Sequence, residues 1–464
     1  MTVFDYLIIG KNPGGLAFAD SILSGSDCTV AIIDDTQSAA RRRQNVSRFI
    51  SGGVREEHLG IGSYTLKDWH REYRPNNLKS LNRIADLQAY CTHVLIRKML
   101  PSGRVALFER TKHFGDGRVK SIDNGMMRNL LVRKRIVDAS HFPSAFCTSF
   151  IPSFSVAAGV NVVRPYQLDT ILNVTPTTFE SYCVLGGGRA GTEMVLALLD
   201  LGVATDKIRW VKSRDAWMLV SETRAAAANR SRYRMSRQHE ALQAMAYAQN
   251  PDDLCLRLER LGLIVRTSSE QVPTYFLPHL ITHEDAERLR QVEHVIRKGH
   301  VHAISEIGML LSRGAVPMPA QSLYLDCTGY SGSRHRTKVV FQPQSIDLAD
   351  IRLSHPCFSA AMIAAIELRD LPIEEKNKLS VPLDGGHIAE LFLGSLLNHH
   401  AWFHDTALRN WIERCRLDPW LQITAQRLNA SDRVPKDLGI IRTILPRAII
   451  NLESMVQRDN ACVQ

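Results

Sequence analysis

The stretch SYCVLGGGRAGTEMVLALLDLG, residues 181–202, decides the fold. Its first part, 182–185, is a short continuous apolar run, which is typical of a parallel strand buried on both faces. Gly186, Gly188 and Gly191 then fill the glycine positions of the motif G-x-G-x-x-G, between that strand and a helical pattern. The first glycine allows a tight turn, the second lets a pyrophosphate approach the backbone, and the third allows close helix–strand packing. The stretch therefore predicts a dinucleotide-binding βαβ unit.

The candidate ligands of this unit lie in the glycine-rich turn, where free N–H groups of the helix N-terminus would meet the phosphates. They are Gly186, Gly188, Arg189, Ala190 and Gly191. The next strand ends in Lys212, Ser213 and Arg214, where an NAD site would carry an acid for the ribose. Basic groups and a serine favour a 2′-phosphate, so the sequence predicts NADPH over NADH. The alternatives are a glycine-rich turn without a nucleotide, and solvated surface charges at Lys212 and Arg214.

A second βαβ unit lies at the N-terminus. An apolar run at 6–9 precedes the turn GKNPGG at 10–15, and a strand at 29–33 ends in two acids. Asn12 stands where the motif has its second glycine, so its side chain would project into the pyrophosphate space or donate to a phosphate. Asp34 is suitably placed for an adenosine ribose. We predict dinucleotide binding here, and the alternative is a retained fold with a weakened or empty site. The candidate ligands are Gly10, Asn12, Pro13, Gly14, Gly15, Asp34 and Asp35.

Periodicity assigns the segments between the two units. Residues 36–80 are polar and are predicted to form a long excursion, whereas 84–95 carry apolar residues at helical spacing. Apolar runs at 105–108 and 130–132, separated by turn residues, predict a small antiparallel meander. Residues 136–139 are predicted to form a strand that returns to the first sheet.

The chain after the second unit is predicted to be mostly helical, at 222–300 and again from about 385 to the end. One further strand is predicted at 322–326. Thr328 and Gly329 follow it and are candidates to approach a cofactor ring or ribose. An ordinary turn after a buried strand is the alternative.

Composition excludes several classes of protein. The 464 residues carry a net charge of +10 and are 45% hydrophobic, which excludes a disordered or fibrous chain and suits anionic ligands such as dinucleotides. Basic residues form a compact run only at 41–43, so no nucleic-acid partner is predicted. The N-terminus lacks the basic region of a secretory signal, and no apolar run approaches the ~18–20 residues of a membrane span. We predict a cytoplasmic protein; no signal indicates its oligomeric state.

Cysteine and histidine patterns exclude the common metal and disulfide sites. Nine cysteines are spread along the chain without a close pair or a C-x-x-C motif, which excludes zinc ribbons and thioredoxin-type motifs and argues against a disulfide framework. The histidines lack a companion acid or ligand at metal spacing, so no metal site is predicted. The residues concerned are His300, His302, His355, His399 and His400.

Together these motifs resemble the flavin-containing monooxygenase-like oxidoreductases with two dinucleotide-binding domains. The block 136–219, which includes YCVLGGGRAGTEMVLALLDLGV and IRWVKSRDAWML, is similar to a group of largely uncharacterised bacterial FAD/NAD(P)-binding proteins. The resemblance implies an α/β fold with two Rossmann-like dinucleotide-binding domains and a helical C-terminal region. It also implies that the NADPH domain is inserted into a split FAD domain.

The resemblance further implies domain bounds and residue roles. The parts are an FAD-binding domain at 1–165 and 321–385, an NADPH-binding domain at 175–320 and a helical region at 386–464. The residues for FAD would be Gly10, Gly14, Gly15 and Asp34, and those for NADPH would be Gly186, Gly188, Arg189, Gly191 and Arg214. The chain departs from the family at Asn12, in lacking Gly-Gly-x-Trp within 36–60, and in lacking F-x-G-x-x-x-H before residue 180.

The leading hypothesis is an NADPH-dependent FAD oxidoreductase, monooxygenase-like, that transfers hydride to flavin and uses dioxygen to oxidise a small molecule. A disulfide reductase of the same plan is disfavoured, because no two cysteines are close in sequence. The non-enzymatic alternative is a dinucleotide-binding protein with a degenerate flavin site that acts as a redox sensor or partner-binding module. No catalytic acid, base or nucleophile is identified; Arg189 and Thr328 are candidates by position alone.

Overall fold

The computed structural model describes residues 2–35, 59–73, 84–140, 153–164, 179–220, 230–268, 270–328, 339–383, 387–430 and 436–463. In chain order the strands are β1 Thr2–Ile9, β2 Val30–Asp34, β3 Val105–Glu109, β4 Thr111–His113, β5 Arg118–Ser121, β6 Met127–Asp138, β7 Ser155–Val156, β8 Asn161–Val163, β9 Ser181–Leu185, β10 Ile208–Val211, β11 Ala216–Val220, β12 Ile264–Arg266, β13 Tyr275–Ile281, β14 His294–Ile296, β15 Val301–Ser305, β16 Gly308–Leu311, β17 Gly314–Pro317, β18 Ser322–Asp326 and β19 Ser345–Asp347. The α-helices are α1 Pro13–Gly25, α2 Leu66–Tyr73, α3 Ile84–Val94, α4 Arg189–Asp200, α5 Arg230–Tyr247, α6 Pro251–Arg260, α7 His283–Arg290, α8 Pro356–Glu367, α9 Ile373–Lys378, α10 Ile388–His404, α11 Thr406–Arg414, α12 Pro419–Asn429 and α13 Lys436–Val463.

Unit 1, which we define by the sheet that contains β1, is a parallel sheet with an antiparallel extension. Its strand order is β3-β2-β1-β6-β19, all parallel, and β4 and β5 continue from β6 as an antiparallel meander. The predicted strand at 136–139 is confirmed as the end of β6, where Val137 pairs with Ile8. The run at 105–108 was predicted in the meander, which is wrong: it forms β3, parallel to β2. A tight turn at Arg110, which has a φ of 48°, separates β3 from β4, so the meander begins at β4.

Unit 2, the sheet that contains β9, repeats this plan. Its five strands run parallel in the order β14-β10-β9-β18-β8, so β9, β10 and β14 occupy the places of β1, β2 and β3. A meander of β15, β16 and β17 accompanies it, with β7 paired to β15. The α/β class with two Rossmann-like sheets, as predicted, is therefore present.

One strand lies in a different sheet from the one we expected. Residues 322–326 were grouped with the returning part of the first domain, but β18 pairs with β9 and β8 in unit 2. The chain returns to unit 1 only at β19, where Ile346 pairs with Val137. All five residues of β18 are buried, so this apolar run belongs inside a parallel sheet. Its apolar character does not indicate which of the two parallel sheets contains it.

The described residues of 222–300, which are 230–268 and 270–300, contain three helices, α5 to α7, as the prediction of a helix-rich stretch required. They also contain β12, β13 and β14, which the prediction missed. Strands β12 and β13 flank β11 in a small mixed sheet. These strands have three to seven residues and lie among many Arg, Glu and Gln residues, so their periodicity was too short to separate from that of the helices.

The second part of unit 1 contains, besides β19, helix α8, which lies beside α1. Ser21 Oγ donates to Ala361 O at 3.0 Å, and a Cβ built at Gly25 would lie 2.5 Å from a methyl group of Leu368. The two helices therefore run in the same direction, with both N-termini at the carboxyl edge of the sheet. Their buried residues form one core with β1 and β2.

The helical C-terminal region is confirmed from Ile388 onwards. Helix α13 is joined to α5 by Asn451, whose Nδ2 donates to Met245 O at 2.7 Å and to Ala248 O at 2.9 Å. Within the described ranges, no helix combines the length and apolarity that crossing a membrane requires. Cys28, Cys91, Cys183, Cys255, Cys327, Cys357 and Cys415 are buried and free of disulfides.

We predict that Gly191→Ala destabilises the protein. A Cβ at this position would lie 1.9 Å from Gly186 O, so α4 would have to move away from the turn, at a cost of about 1–3 kcal/mol. Urea unfolding followed by circular dichroism measures the change.

Gly188→Ala is the matched control for this variant. A Cβ at Gly188 meets nothing within 4 Å and the φ there is −81°, so only the small N-cap preference for glycine is lost and the unfolding midpoint should shift much less than that of Gly191→Ala. Equal midpoints for all three proteins would show that the close contact at Gly191 does not constrain the fold.

Candidate functional site

The glycine-rich turn of unit 2 has the backbone that the motif requires. Gly186 has a φ of 121°, a left-handed conformation that favours glycine, and its N–H donates to Val211 O at 2.9 Å. Gly191 packs α4 directly against the Gly186 carbonyl. Gly188 caps the helix with extended backbone, and the space beside its Cα is open. A phosphate could therefore approach the first N–H groups of α4 without meeting a side chain.

The turn of unit 1 has the same backbone, with one side chain added. Gly10 has a φ of 115°, its N–H donates to Ile33 O, and a Cβ at Gly15 would lie 2.4 Å from Gly10 O. Asn12 is the N-cap of α1 with extended backbone, which is the place of Gly188 in unit 2. The two turns thus differ chiefly in what stands at this N-cap.

The Asn12 side chain bonds to the protein. Its Oδ1 accepts from Gly15 N–H at 2.9 Å, and its Nδ2 donates to Ala139 O, after β6, at 2.5 Å. We had expected it to point into the pyrophosphate space or at a phosphate. In the first turn of α1, Pro13 has no N–H and the Gly15 N–H is bonded to Asn12. The Gly14 N–H is therefore left as a donor, and it has no partner among the described residues. The family segment expected within 36–60 falls outside the described residues except for Leu59 and Gly60.

The acid that ends β2 forms an ion pair with a lysine of the same turn. Asp34 is buried, and Lys11 Nζ lies 3.6 Å from its Oδ2 and 2.5 Å from Oε1 of Glu109, the last residue of β3. Asp35 is exposed. Asp34 and Asp35 are predicted from the sequence, but Lys11 and Glu109 are not, because only the pairing of β3 with β2 brings Glu109 beside Asp34.

The basic residues after β10 take two different positions. Lys212 is 2% exposed; its Nζ donates to Asp215 Oδ1 at 2.7 Å and to Thr267 Oγ1 at 3.0 Å. Burial lowers the pKa of this lysine, while Asp215 opposes the shift. Arg214 is exposed and its guanidinium stacks on the Tyr275 ring, 3.8 Å from the centroid. Ser213 lies half-buried between them. Of the two predicted cations, Arg214 is therefore the exposed one, whereas Lys212 is buried in bonds to Asp215 and Thr267.

Arg189, at the first turn of α4, is held by its own helix. Its Nε donates to Glu193 Oε1 at 2.7 Å, and Ala190 packs partly into the core of unit 2. His279 of β13 is fully buried nearby. Burial, and then the positive charge of Arg189, lower the pKa of His279 to about 4, so its imidazole is neutral at physiological pH.

Thr328 lies at the carboxyl end of β18 and bonds back to the strand. Its N–H and its hydroxyl both donate to Asp326 Oδ1, at 3.0 and 2.6 Å. The other oxygen, Asp326 Oδ2, is buried and has no hydrogen-bond partner in the described part of the chain. Gly329 lies outside the described residues. A Cβ built at Gly186 would be 3.1 Å from Cys327 O, so this strand end borders the glycine-rich turn.

One histidine has the companion acid that the sequence did not show. His355 Nε2 lies 3.4 Å from Oδ2 of Asp418, which also accepts from Arg352 Nε at 2.9 Å. Burial alone would raise the pKa of Asp418, but the positive charges of His355 and Arg352 hold it below its usual range. The pair is 63 residues apart in sequence, so spacing could not reveal it. Among the described residues no group of His, Cys, Asp and Glu could hold a metal ion.

Comparison with known proteins gives distant similarities. No family model matches the chain. Uncharacterised proteins of Mycobacterium tuberculosis and Mycobacterium bovis are 29% identical over 425 residues, which cover 89% of this chain and 77% of theirs.

Among solved structures, the chain is similar to a variant of a flavin monooxygenase from Stenotrophomonas maltophilia, with 15% identity and a TM-score of 0.45 over 78% of this chain and 98% of that one. It is also similar to a polycyclic ketone monooxygenase from Thermothelomyces thermophila, with 10% identity and a TM-score of 0.48 over 97% and 88%. The predicted resemblance to flavin monooxygenases is thus found as a structural similarity, while the architecture itself rests on the strand pairings above.

We predict that His279 makes the stability of the protein sensitive to acid. Above pH 6.5 the imidazole is neutral in both states and adds no pH dependence. Below it the unfolded chain takes up the proton first, so the free energy of unfolding falls by roughly 3 kcal/mol as the pH approaches 4. His279→Gln should lose less stability over this range, as measured by urea unfolding at several pH values.

The exposed His283, four residues along the chain, provides the control variant His283→Gln, which should follow the wild-type pH dependence. Parallel curves for the wild type and His279→Gln would contradict the assignment.

Proposed function

We propose that the protein is an FAD- and NADPH-dependent oxidoreductase of the monooxygenase type, acting on a small molecule with dioxygen. The observation that carries the proposal is the presence of two sheet-and-helix units whose glycine-rich turns share one backbone geometry. A protein that only binds one nucleotide needs one such unit, whereas hydride transfer between two dinucleotides uses both.

Unit 2 fits NADPH. The open space at Gly188 and the N-terminus of α4 would receive the pyrophosphate. The exposed Arg214 would bind the 2′-phosphate, with its guanidinium plane kept in place by Tyr275. Arg189 would add positive charge beside the phosphates, while its bond to Glu193 limits its reach.

Unit 1 fits FAD with one phosphate donor fewer. The left-handed Gly10 and the close packing at Gly15 support the same helix approach as in unit 2. The Gly14 amide would donate to the pyrophosphate, and Asp34 would accept from the adenosine ribose. Gly15 N–H is already bonded to Asn12, which supports a weaker flavin site than a three-glycine turn would give.

FAD, when bound, supplies two-electron transfer between the nicotinamide and an acceptor. The protein's part is to bind both cofactors in one geometry and to exclude water from them. Thr328, fixed by Asp326, would line the carboxyl edge of unit 2 close to the glycine-rich turn. The seven cysteines whose side chains the structure describes are buried and unpaired, which supports dioxygen rather than a disulfide as the acceptor.

The second candidate function is a nucleotide-binding sensor or partner-binding module without flavin. Two contacts of unit 1 favour it: the Asn12 cap on α1 and the ion pair of Lys11 with Asp34. In that case unit 1 would keep the fold while its own side chains fill the places of phosphate and ribose. Flavin content separates the two functions.

We expect the purified protein to contain FAD or to take it up, with the absorption bands of a bound flavin. Anaerobic addition of NADPH should bleach these bands, and admission of oxygen should restore them. A protein that binds NADPH but shows no flavin bands after incubation with FAD would support the sensor function. Bleaching without reoxidation would indicate a reductase with another acceptor.

We also predict that Asn12→Gly tightens FAD binding by about three- to tenfold. The substitution frees Gly15 N–H for a phosphate oxygen, and one such hydrogen bond contributes about 0.5–1.5 kcal/mol. Flavin fluorescence titration of the apoprotein gives the affinity.

Asn250→Gly is the matched control, because Asn250 is the N-cap of α6 and accepts from Asp253 N–H at 2.8 Å in the same way. It should remove a similar cap and leave FAD affinity unchanged. Weaker FAD binding by Asn12→Gly alone would mean that the Asn12 amide is itself a flavin ligand.

A further inference from the structure

The two units carry opposite charges at equivalent positions of their second strands. Gly10 N–H bonds to Ile33 O, and Gly186 N–H bonds to Val211 O, so these two carbonyls correspond. The next residue is Asp34 in unit 1 and Lys212 in unit 2. At this position an acid can bind a ribose in unit 1, whereas unit 2 has a base.

The inversion extends to the third strand of each unit. Asp34 pairs in register with Glu109, the last residue of β3. Val211 pairs with Ile296, the last residue of β14, so the residues that follow, Lys212 and Arg297, are also neighbours. Unit 1 therefore places two acids side by side where unit 2 places two bases.

Each pair is bridged by one counter-ion of opposite charge. In unit 1 Lys11 binds both Asp34 and Glu109. In unit 2 Asp215 accepts from Lys212 Nζ at 2.7 Å and from Arg297 Nε at 2.6 Å. With Asp35 and Arg214 included, the residues named at the ends of β2 and β3 are three acids and one base, and those named at the ends of β10 and β14 are three bases and one acid. The formal charges are −2 and +2.

We propose that Arg297 is a specificity-determining residue that, together with Arg214, binds the 2′-phosphate of the nucleotide in unit 2. This inference rests on the proposed NADPH site. Lys212 cannot take this role without leaving its buried bonds, since only 3% of its side chain is exposed, whereas 34% of the Arg297 side chain is exposed.

The geometry of Arg297 suits a phosphate. Asp215 engages Nε at 2.6 Å and one terminal nitrogen at 3.4 Å, so the other terminal nitrogen, Nη1, has no partner among the described residues. A guanidinium held on one edge by a carboxylate presents its remaining N–H donors in a fixed direction, which favours a charge-assisted bond to phosphate. Glu109 at the matching place in unit 1 would repel a 2′-phosphate and suits a ribose with free hydroxyls.

The test uses two probes that differ by the 2′-phosphate alone, adenosine 2′,5′-bisphosphate and 5′-AMP, titrated calorimetrically into the full chain. We expect Arg297→Ala to weaken the bisphosphate by tenfold or more and to change 5′-AMP by less than twofold. Arg214→Ala should act in the same direction. Arg297→Glu, which copies Glu109, should make 5′-AMP the tighter ligand.

Arg288→Ala is the control, because Arg288 pairs with Asp200 at the C-terminal end of α4, at the opposite edge of the sheet. It should leave both affinities unchanged. Thermal unfolding shows whether each variant folds. If Arg297→Ala does not fold, Arg297→Lys replaces it, because lysine keeps the charge but lacks the forked guanidinium. We then expect the affinity for the bisphosphate to fall threefold or more.

The outcomes separate this inference from the proposed function. A wild type that prefers the bisphosphate, with Arg297 variants unchanged, overturns the role of Arg297 and leaves NADPH binding standing. Equal wild-type affinities for the two probes overturn both the role of Arg297 and the NADPH preference. A wild type that binds neither probe nor NADPH contradicts the proposed function itself.

Discussion

The structure depends on the close approach of a helix N-terminus to the strand before it, in each of two units. Gly15 and Gly191 permit this contact, because a Cβ at either place would lie within 2.4 Å of the carbonyl oxygen of Gly10 or Gly186. The approach directs the first N–H groups of α1 and α4 to the carboxyl edge of their sheets. A phosphate bound at such an edge would need no charged side chain, since a helix N-terminus already carries partial positive charge.

What distinguishes the two units is the chemistry added to this shared backbone. Unit 2 leaves its N-cap bare at Gly188, whereas unit 1 covers it with the Asn12 amide. The strand ends carry opposite charge, each balanced in part by one counter-ion, Lys11 or Asp215. The counter-ions reduce the cost of burying Asp34 and Lys212, which would otherwise be large for single charges in a sheet.

The order of segments along the chain also links the two units. Unit 1 is completed by β19 and α8, which follow unit 2 in sequence, so neither part of unit 1 buries its core alone. A buried group ties the returning segment to β1. Tyr6 donates to Glu367 Oε1 at 3.3 Å, and Lys376 Nζ bonds to Glu367 Oε2 at 2.8 Å. Because these groups come from before and after unit 2 in the sequence, unit 1 should fold only after unit 2 has been synthesised.

The sequence by itself determined the local elements: both glycine-rich turns, the strands and helices next to them, and the helical C-terminus from Ile388. Such patterns depend on residues a few positions apart, so spacing alone reports them. Only the tertiary structure decided that β18 lies in unit 2, that Lys212 is buried against Asp215, and that Arg297 lies beside it. Strand pairing and ion pairing join residues far apart in the chain. Their partners depend on which strands become neighbours, and hydrophobic periodicity carries no information about that choice.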